Sequence, residues 1–319
     1  MTAKEAQMVQ EALQFYPLKN PEFSFIRHNE NITCKVTADN SSYVLRIHDP
    51  MEGFSLKLFE QGPAEPLIRG EIELLLHLSK TAPFPVQKPV ANKFGEYISI
   101  LSCGVPAQLL QWIDGETLAG GDIAQYAEAL GTLAAQIHSA AQGFAGERIS
   151  YSYELVQRMK SELAAAKEKS HITQEEASVC RAVLTAIEHI MAELDKQPNS
   201  KCLIHADLST ENILKTSAGL APIDFSLSGF GYRAQECGML AFSYDGEAER
   251  EIVRTSYEKA SGVEIKPQHM NAFGIFSILA FIAAQHDRYW TESWFQESMK
   301  NWTSTLFADL LNGLAIISH

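Results

Sequence analysis

The feature that most constrains the fold is a change of pattern near residue 115. Before it, short runs rich in β-branched and aromatic residues predict strands at 23–27, 32–37 and 43–48. The turn-forming segment 38–42 predicts that the last two strands make a hairpin. The first part of the chain is therefore expected to be built around an antiparallel sheet.

After residue 115 the pattern becomes mostly helical. Apolar residues recur at helical spacing in 123–141, in 154–169 and in 174–194, and again from about residue 248 to the end. The first part adds a predicted helix at 71–79 and two predicted strands at 97–102 and 108–113. Only residues 202–225 interrupt the helical part, with two short apolar runs around a polar turn.

The chain has 319 residues, of which 46% are apolar, and this length suffices for one large or two modest domains with a substantial core. We predict an α+β protein of two lobes. Residues 1–114 form a small β-rich N-lobe that includes an N-terminal helix, and residues 115–319 form a larger, mostly helical C-lobe.

Charge and cysteine usage exclude several classes of protein. With 26 basic and 39 acidic residues the net charge is −13, which disfavours nonspecific binding to nucleic acid or anionic membranes. The acidity fits a cationic substrate, and it fits plain solubility equally well. Five scattered cysteines without CxxC spacing favour a reducing compartment. Residues 1–14 lack the apolar core of a signal peptide and 273–284 is short for a membrane span, so a cytoplasmic protein is expected.

Three polar residues within 202–225 suit phosphoryl transfer. This chemistry needs an oriented nucleophile and metal ions that neutralise developing charge. Asp207 lies in a turn between apolar runs, where a carboxylate can accept a proton from a substrate hydroxyl. Asn212 and Asp224 offer the oxygen ligands that Mg²⁺ prefers. His205 is expected to act as a scaffold that hydrogen-bonds the loop backbone.

The joint spacing of these residues is more specific than any of them alone. A lone His-x-Asp is common by chance and often marks a polar loop. Here His205-x-Asp207 is followed by Asn212 five residues after the aspartate, which is the spacing of the protein-kinase catalytic loop. Asp224-Phe225 then stands where the kinase metal-binding D-F-G would be.

The segments 204–214 and 222–225 resemble the aminoglycoside phosphotransferase and choline kinase group, also called the phosphotransferase enzyme family. That group typically has His-Gly-Asp-Leu where protein kinases have His-Arg-Asp, and Ala206 points to this small-molecule branch. The resemblance covers about residues 25–245. It implies a bilobed protein-kinase-like fold, with ATP or GTP and Mg²⁺ bound between the lobes.

The resemblance also implies roles for individual residues. It makes Asp207 the catalytic base, and it makes Asn212 and Asp224 the Mg²⁺ ligands. Arg46 matches the strand residue, usually lysine, that holds the nucleotide phosphates, and arginine can do so bidentately. Glu71 matches the helix glutamate that pairs with this basic residue.

Some implications stay open. Glu73 competes with Glu71 as the partner of Arg46, and Glu236 stands where the family usually has an aspartate that supports the C-lobe. The nucleotide is further expected to meet Asn31, in a turn that replaces the glycine-rich loop, and the connector Gln111-Trp112-Ile113. The backbone of Gln111 and Ile113 would bind the purine.

The acceptor is the least defined part. The implied partner is a small molecule with a hydroxyl group, and the acidic composition leans toward a cationic one. The aromatic residues of 289–295 beside Asp287 and Glu292 suit a cation, but such clusters are more often helix–helix contacts. The acidic run 245–251 is usually a solvated face. A protein serine/threonine kinase and a nucleotide-binding pseudokinase scaffold are the alternative functions.

Overall fold

The protein is described here from a computed structural model, which describes residues 1–59 and 64–317. The α-helices of this part of the chain are α1 (Ala3–Gln14), α2 (Ala64–Thr81), α3 (Ala127–Ala140), α4 (Tyr153–Glu168), α5 (Gln174–Leu194), α6 (Arg233–Ala241), α7 (Glu247–Ser261), α8 (Pro267–Tyr289), α9 (Ser293–Ser304) and α10 (Leu306–Ile317). The strands are β1 (Glu22–His28), β2 (Ile32–Ala38), β3 (Ser41–Ile47), β4 (Ser99–Ile100), β5 (Pro106–Gln111), β6 (Glu116–Thr117), β7 (Ile149–Ser150), β8 (Lys201–Ile204), β9 (Ile213–Thr216), β10 (Gly219–Pro222) and β11 (Gly229–Tyr232).

An N-terminal sheet and a larger helical part confirm the predicted fold class. The sheet has the strand order β1-β2-β3-β5-β4, and all of its pairs are antiparallel. Asp39 and Asn40 turn β2 into β3 with φ of 53° and 58°, the left-handed conformation that two-residue hairpin turns require. The hairpin predicted from the turn-forming segment is therefore present.

Helices cover both faces of this sheet. The apolar side of α1, made by Met8, Val9, Ala12 and Leu13, packs with buried residues of β2, β3 and β5 in a small core of its own. On the opposite face, α2 packs into the main core, which continues into the helical part of the chain. Residues of the N-terminal sheet that face α2 are thus fixed relative to the C-terminal helices.

Three predicted elements have different bounds in the structure. Strand β4 begins at Ser99 rather than at residue 97, because Asn92 Oδ1 accepts the N–H groups of Phe94 and Glu96 and holds this segment in a turn. Strand β5 runs over Pro106–Gln111 rather than over the predicted 108–113. Helix α2 begins at Ala64, seven residues earlier than expected. Pro66 lies in its first turn, where proline is tolerated because the N–H that it lacks would have no partner in the helix.

The C-terminal part supports two short sheets on its helices. One has the order β10-β9-β6, and the other has β7-β11-β8. The segment 205–212 runs from β8 of the second sheet to β9 of the first, and residue 224 follows β10. The polar turn of the sequence is therefore held at both ends by strands.

Helix α8 is the central helix of this part. By length and composition it passes the test for a membrane-spanning helix, but 61% of its apolar window is buried inside the protein. Core helices commonly have this character. The apolar stretch 273–284, which by itself is short for a membrane span, is thus part of a longer helix of 23 residues whose apolar window is mostly buried in the protein.

Helix α6 crosses α8 at closely approaching glycines. A Cβ atom built on Gly238 would lie 2.3 Å from the carbonyl oxygen of Met270 and 2.5 Å from the backbone nitrogen of Gly274. Both obstacles are backbone atoms, so the two helices must separate before a side chain fits.

We predict that Gly238→Ala lowers the free energy of unfolding by about 1–3 kcal/mol, the usual cost of overpacking a core. The matched control is Gly313→Ala in α10, where a Cβ would meet no atom of the described residues within 4 Å. Because alanine favours helix over glycine, the control should stabilise the protein by up to about 1 kcal/mol. Chemical denaturation of both variants measures the difference, and equal stabilities would contradict the proposed close packing.

Candidate active site

The segment after β8 is held by a buried carboxylate and a buried imidazole. Glu236, fully buried on α6, accepts the N–H groups of His205 and Ala206. Ala206 has φ of 64°, which this double hydrogen bond stabilises. His205 Nε2–H donates to the carbonyl oxygen of Ile223 (3.0 Å), and its Nδ1 accepts the N–H of Asp207 (3.3 Å). These partners define the neutral tautomer.

His205 is therefore placed as the scaffold that the sequence predicted. Its ring is fully buried, and burial lowers the pKa of its imidazolium form. Because both ring nitrogens are used by the backbone, the imidazole has no nitrogen directed at a reacting group. It joins the 205–212 segment to Ile223, the residue between β10 and Asp224.

Asp207 and Asn212 form a closed pair. The Asn212 side-chain nitrogen donates to the backbone carbonyl of Asp207 (2.9 Å) and to its carboxylate oxygen Oδ2 (2.8 Å). Because Asp207 uses the side-chain nitrogen of Asn212, the side-chain oxygen of Asn212 remains to accept a hydrogen bond or to bind a cation. Burial, followed by the charge of Asp224, raises the pKa of Asp207 to about 8.

Asp224 is held between two arginines. Its Oδ1 lies 3.1 Å from an Arg46 nitrogen, and its Oδ2 lies 2.9 Å from an Arg27 nitrogen. Burial alone would raise the pKa of this carboxyl, but the two guanidinium groups lower it to about 2. Asp224 has φ of 63°, so its conformation is strained and depends on these partners.

Arg46 joins Asp224 to helix α2. Its second terminal nitrogen lies 2.7 Å from Glu71, and Gln108 donates to the other oxygen of that glutamate (3.4 Å). Glu73 is exposed on the other side of α2. The partner of Arg46 is thus Glu71, the residue that the family resemblance implied.

Glu30 adds a further carboxylate beside this group. It lies in the turn after β1 and accepts a hydrogen bond from Ser226 Oγ (3.3 Å). Burial, with the charge of Asp224, raises its pKa to about 7. The raised pKa values of Glu30 and Asp207 mean that the carboxyl groups of this site do not all ionise near neutral pH.

Sequence reasoning missed Arg148, which shapes the backbone after Asp224. The guanidinium is buried and donates to the carbonyl oxygens of Phe225 (2.7 Å), Ser226 (2.6 Å) and Ser228 (3.0 Å), and also to that of Leu67 in α2 (2.6 Å). Its position in an irregular segment gave no periodic or motif signal. Arg27 was missed as well, because an exposed arginine on an edge strand is unremarkable in a sequence.

A cavity of about 190 Å³ opens between the N-terminal sheet and the 205–224 region. Its lining includes four of the predicted site residues, Arg46, Ile113, Asn212 and Asp224, together with Arg27. Val44, Trp112, Leu214 and Ile223 supply apolar walls, which suit a planar base. Asp207 adjoins this cavity through its hydrogen bond to Asn212.

The structure places the predicted nucleotide contacts at two cavities. Ile113 lines the cavity that Arg46 lines, and within the described residues its N–H has no hydrogen bond. The N–H of Gln111 donates to the carbonyl of Lys88 (2.8 Å), so the predicted purine contact of Gln111 would have to use its carbonyl oxygen. Asn31 lines a second cavity of about 290 Å³ together with Glu71.

The donor atoms around the cavity fit a hard divalent cation. Asn212 offers a neutral oxygen whose orientation is fixed, and Asp224 offers an ionised carboxylate with a low pKa. Mg²⁺ prefers oxygen ligands of this kind and uses few of them from the protein. Both oxygens of Asp224 contact arginines, so an ion bound there would share this carboxylate with Arg46 or Arg27.

The aromatic candidate for the acceptor region, at 287–295, packs within the protein. Tyr289 packs edge-on against Trp294 with ring centroids 5.2 Å apart, and Trp294 packs against Phe295 at 5.8 Å. Both oxygens of Asp287 lie 2.8 Å from Lys169. The aromatic residues therefore form the helix–helix contact that was the alternative reading.

Comparisons with known proteins identify the family and the fold of this chain. The profile of the phosphotransferase enzyme family matches residues 22–272. A solved microcompartment-associated aminopropanol kinase superimposes with a TM-score of 0.71 at 18% identity, covering 96% of this chain and 95% of that one. The amicoumacin kinase hAmiN, solved with AMP-PNP, Ca²⁺ and Ami, gives 0.72 at 17% identity, covering 98% and 96%.

A third solved structure, the choline kinase LicA from Streptococcus pneumoniae, gives a TM-score of 0.67 at 14% identity and covers 97% of this chain and 100% of that one. A comparison with curated proteins found no match. At these identities the superpositions establish the fold, and the family assignment comes from the sequence profile.

We predict that Glu236→Ala lowers the free energy of unfolding by about 2–6 kcal/mol, because each of the two orphaned N–H groups costs about 1–3 kcal/mol. Glu264→Ala, at an exposed position between α7 and α8, is the matched control and should change stability by less than about 0.5 kcal/mol. Thermal and chemical unfolding give both values. A variant as stable as the wild type would show that Glu236 does not support the 205–206 backbone.

Proposed function

This chain belongs to the phosphotransferase enzyme family, and from that membership we propose that it transfers the γ-phosphate of ATP or GTP to a hydroxyl group of a small molecule. The coarser statement, a phosphotransferase that acts on small-molecule hydroxyl groups, follows from the family itself. The nucleotide, the metal and the roles of individual residues are the proposal.

The observation that carries the proposal is the pairing of Asn212 with Asp207 beside Asp224. One side chain, Asn212, both orients a carboxylate and offers an oxygen toward the cavity that Asp224 lines. The N–H of Ile223 donates to the carbonyl of Asn212 (2.9 Å), which keeps the two segments in register. Phosphoryl transfer requires this combination of a positioned base and oxygen ligands.

Asp207 is assigned the role of the base. It would orient the acceptor hydroxyl and receive its proton at Oδ1, while Oδ2 stays hydrogen-bonded to Asn212. Because the pKa of Asp207 is raised to about 8, a cation bound in the cavity would favour the ionised carboxylate that can accept a proton. Bound Mg²⁺, held by Asn212 and Asp224, would supply charge neutralisation on the phosphate oxygens.

Two arginines are assigned to the nucleotide phosphates. Arg46 is fixed by Glu71 and presents one edge of its guanidinium to the cavity. Arg27 is half exposed on β1 and is free to exchange Asp224 for a phosphate oxygen. Both groups are charged at any working pH and bind phosphate bidentately.

For the acceptor, an amino alcohol or a related cationic hydroxyl compound has the best support. Two solved structures of the same fold are named as kinases of aminopropanol and of choline. The net charge of −13 gives an attractive field for a cation. Assaying transfer to a panel of amino alcohols, amino acids, sugars and aminoglycosides tests this assignment.

The alternative functions have less support. Between Asp224 and the start of α6 lie only residues 225–232, which is short for the activation segment of a protein kinase. A pseudokinase scaffold conflicts with the presence of Asp207, Asn212 and Asp224 together. Binding of Mg-ATP without transfer to any member of the acceptor panel would favour the scaffold.

We predict that Asp207→Asn lowers kcat by about 10²–10⁴-fold, the usual contribution of a general base, while Mg-ATP still binds. Asp245→Asn, at an exposed position before α7, is the matched control and should keep wild-type activity. Steady-state transfer to the best acceptor measures kcat, and calorimetry measures nucleotide binding. A variant with unchanged kcat would rule out Asp207 as the base.

A second prediction separates metal binding from phosphate binding. Asp224→Ala should abolish the Mg²⁺ dependence of ATP affinity, because an ionised ligand is lost. Arg46→Lys keeps the charge but loses the bidentate contact, so ATP should bind about tenfold more weakly with its Mg²⁺ dependence retained. Arg69→Ala, exposed on α2, is the control. Calorimetric titration with ATP, with and without Mg²⁺, measures these affinities. If both variants bind ATP as the wild type does, the roles assigned to Asp224 and Arg46 are wrong.

A further inference from the structure

A cluster of two histidines and one aspartate lies away from the cavity that Arg46 lines. His171 is in the turn between α4 and α5, and His286 and Asp287 are in the last turn of α8. Both imidazoles are buried, whereas the aspartate is exposed. None of these residues has a role in the proposed transfer reaction.

The three side chains turn one atom each toward a common point. The two Nδ1 atoms are 3.0 Å apart. The Asp287 Oδ1 atom lies 3.4 Å from the Nδ1 of His171 and 3.5 Å from the Nδ1 of His286. The result is a nearly equilateral triangle of two nitrogens and one oxygen.

This triangle has the dimensions of a metal site. Zinc bonds to imidazole nitrogen and carboxylate oxygen at about 2.0–2.2 Å, and tetrahedral angles then place two ligand atoms about 3.3–3.5 Å apart. We propose that His171, His286 and Asp287 bind one divalent transition-metal ion of the zinc class. A fourth coordination position is left for water.

The ligand chemistry favours this class of ion over Mg²⁺ or Ca²⁺. Imidazole nitrogens suit Zn²⁺, Co²⁺, Ni²⁺ and Cu²⁺, whereas the alkaline-earth ions take oxygen ligands. Burial lowers the pKa values of both His171 and His286, which keeps their imidazoles in the neutral form that a metal requires. The oxygen ligands near Asp207 and these nitrogen ligands thus select different cations.

Neighbouring groups hold the ligands in place. The His171 ring stacks on Trp290, with centroids 4.7 Å apart and an interplanar angle of 12°. Glu162 Oε2 lies 3.9 Å from Nε2 of His286, on the side away from the site. A carboxylate behind a ligating histidine is a common outer-shell partner that orients the ring.

Lys169 is the built-in competitor for this ion. Its ammonium group lies 2.8 Å from both oxygens of Asp287, so without a metal the lysine neutralises the aspartate. The lysine is half exposed and can swing into solvent when an ion binds. Removing the charge of Lys169 should therefore increase the affinity of the site for a metal ion. If the two histidines only hydrogen-bond each other and bind no metal, this substitution should have no such effect.

The site joins two distant stretches of chain. An ion would link the turn before α5 to the end of α8, and Gln285 of α8 donates to the carbonyl oxygen of Ser55, in the segment before α2 (3.1 Å). Since the ion binds only the folded arrangement, it should raise the unfolding temperature as its concentration increases.

The test is a titration of the chelator-treated full chain with Co²⁺ and with Zn²⁺, in excess Mg²⁺ so that oxygen sites are filled. Visible absorption of Co²⁺ reports tetrahedral coordination, and calorimetry with Zn²⁺ gives the stoichiometry. We expect one ion per chain. Loss of an outer-shell partner commonly lowers metal affinity about 10–100-fold. Because His171→Asn and His286→Asn each remove a direct ligand, each should lower the affinity by more than this.

Two variants complete the design. His189→Asn, exposed on α5, is the matched histidine control and should bind like the wild type. Lys169→Met should bind Zn²⁺ more tightly than the wild type, and at this exposed position it leaves the fold intact. The proposal is overturned if neither the wild type nor Lys169→Met binds Co²⁺ or Zn²⁺. It is equally overturned if binding is unchanged in both His171→Asn and His286→Asn, as for a metal held elsewhere on the chain.

Discussion

The buried ion pairs of Arg46 are the interaction on which the rest of the structure depends. This side chain on β3 is 5% exposed and lies between Glu71 of α2, at 2.7 Å, and Asp224 after β10, at 3.1 Å. Removing one partner from a buried pair costs about 3–5 kcal/mol, because the remaining charge is left without compensation. One guanidinium therefore links the N-terminal sheet, its covering helix α2 and the segment that follows β10.

The same interaction sets the electrostatics of the cavity. With Arg46 and Arg27 at its oxygens, Asp224 stays ionised, while burial and the charge of Asp224 raise the pKa of Asp207 to about 8. Both carboxyls are buried, and they differ in proton affinity because arginines contact Asp224, whereas an amide contacts Asp207. The backbone that presents Asp224 depends in turn on Arg148, which satisfies three carbonyl oxygens of the following residues.

The histidine cluster shows that tertiary packing brings a second type of ligand chemistry to the helical part. His171 and Asp287 are 116 positions apart in the sequence, and no spacing rule connects them. Asp287 and the nearby aromatic residues had suggested a cation site from the sequence. The structure instead pairs Asp287 with Lys169 and packs the rings against each other, so that the nitrogen ligands become the distinctive feature.

The sequence by itself determined the fold class and singled out the segment proposed to be catalytic. His205, Asp207 and Asn212 lie within eight residues, and short-range spacing with strand-forming flanks was enough to identify them. The residues of other helices and strands that contact this segment could not be identified from sequence spacing. The choice of Glu71 over Glu73 required knowing which face of α2 meets β3. The hydrogen bond from the Gln111 N–H to Lys88, which leaves the Gln111 carbonyl oxygen as the predicted purine contact, was likewise not readable from the sequence. Arg27, Glu30 and Arg148 gave no local signal, since their importance arises from charges and carbonyl groups that only the folded chain brings within hydrogen-bonding distance.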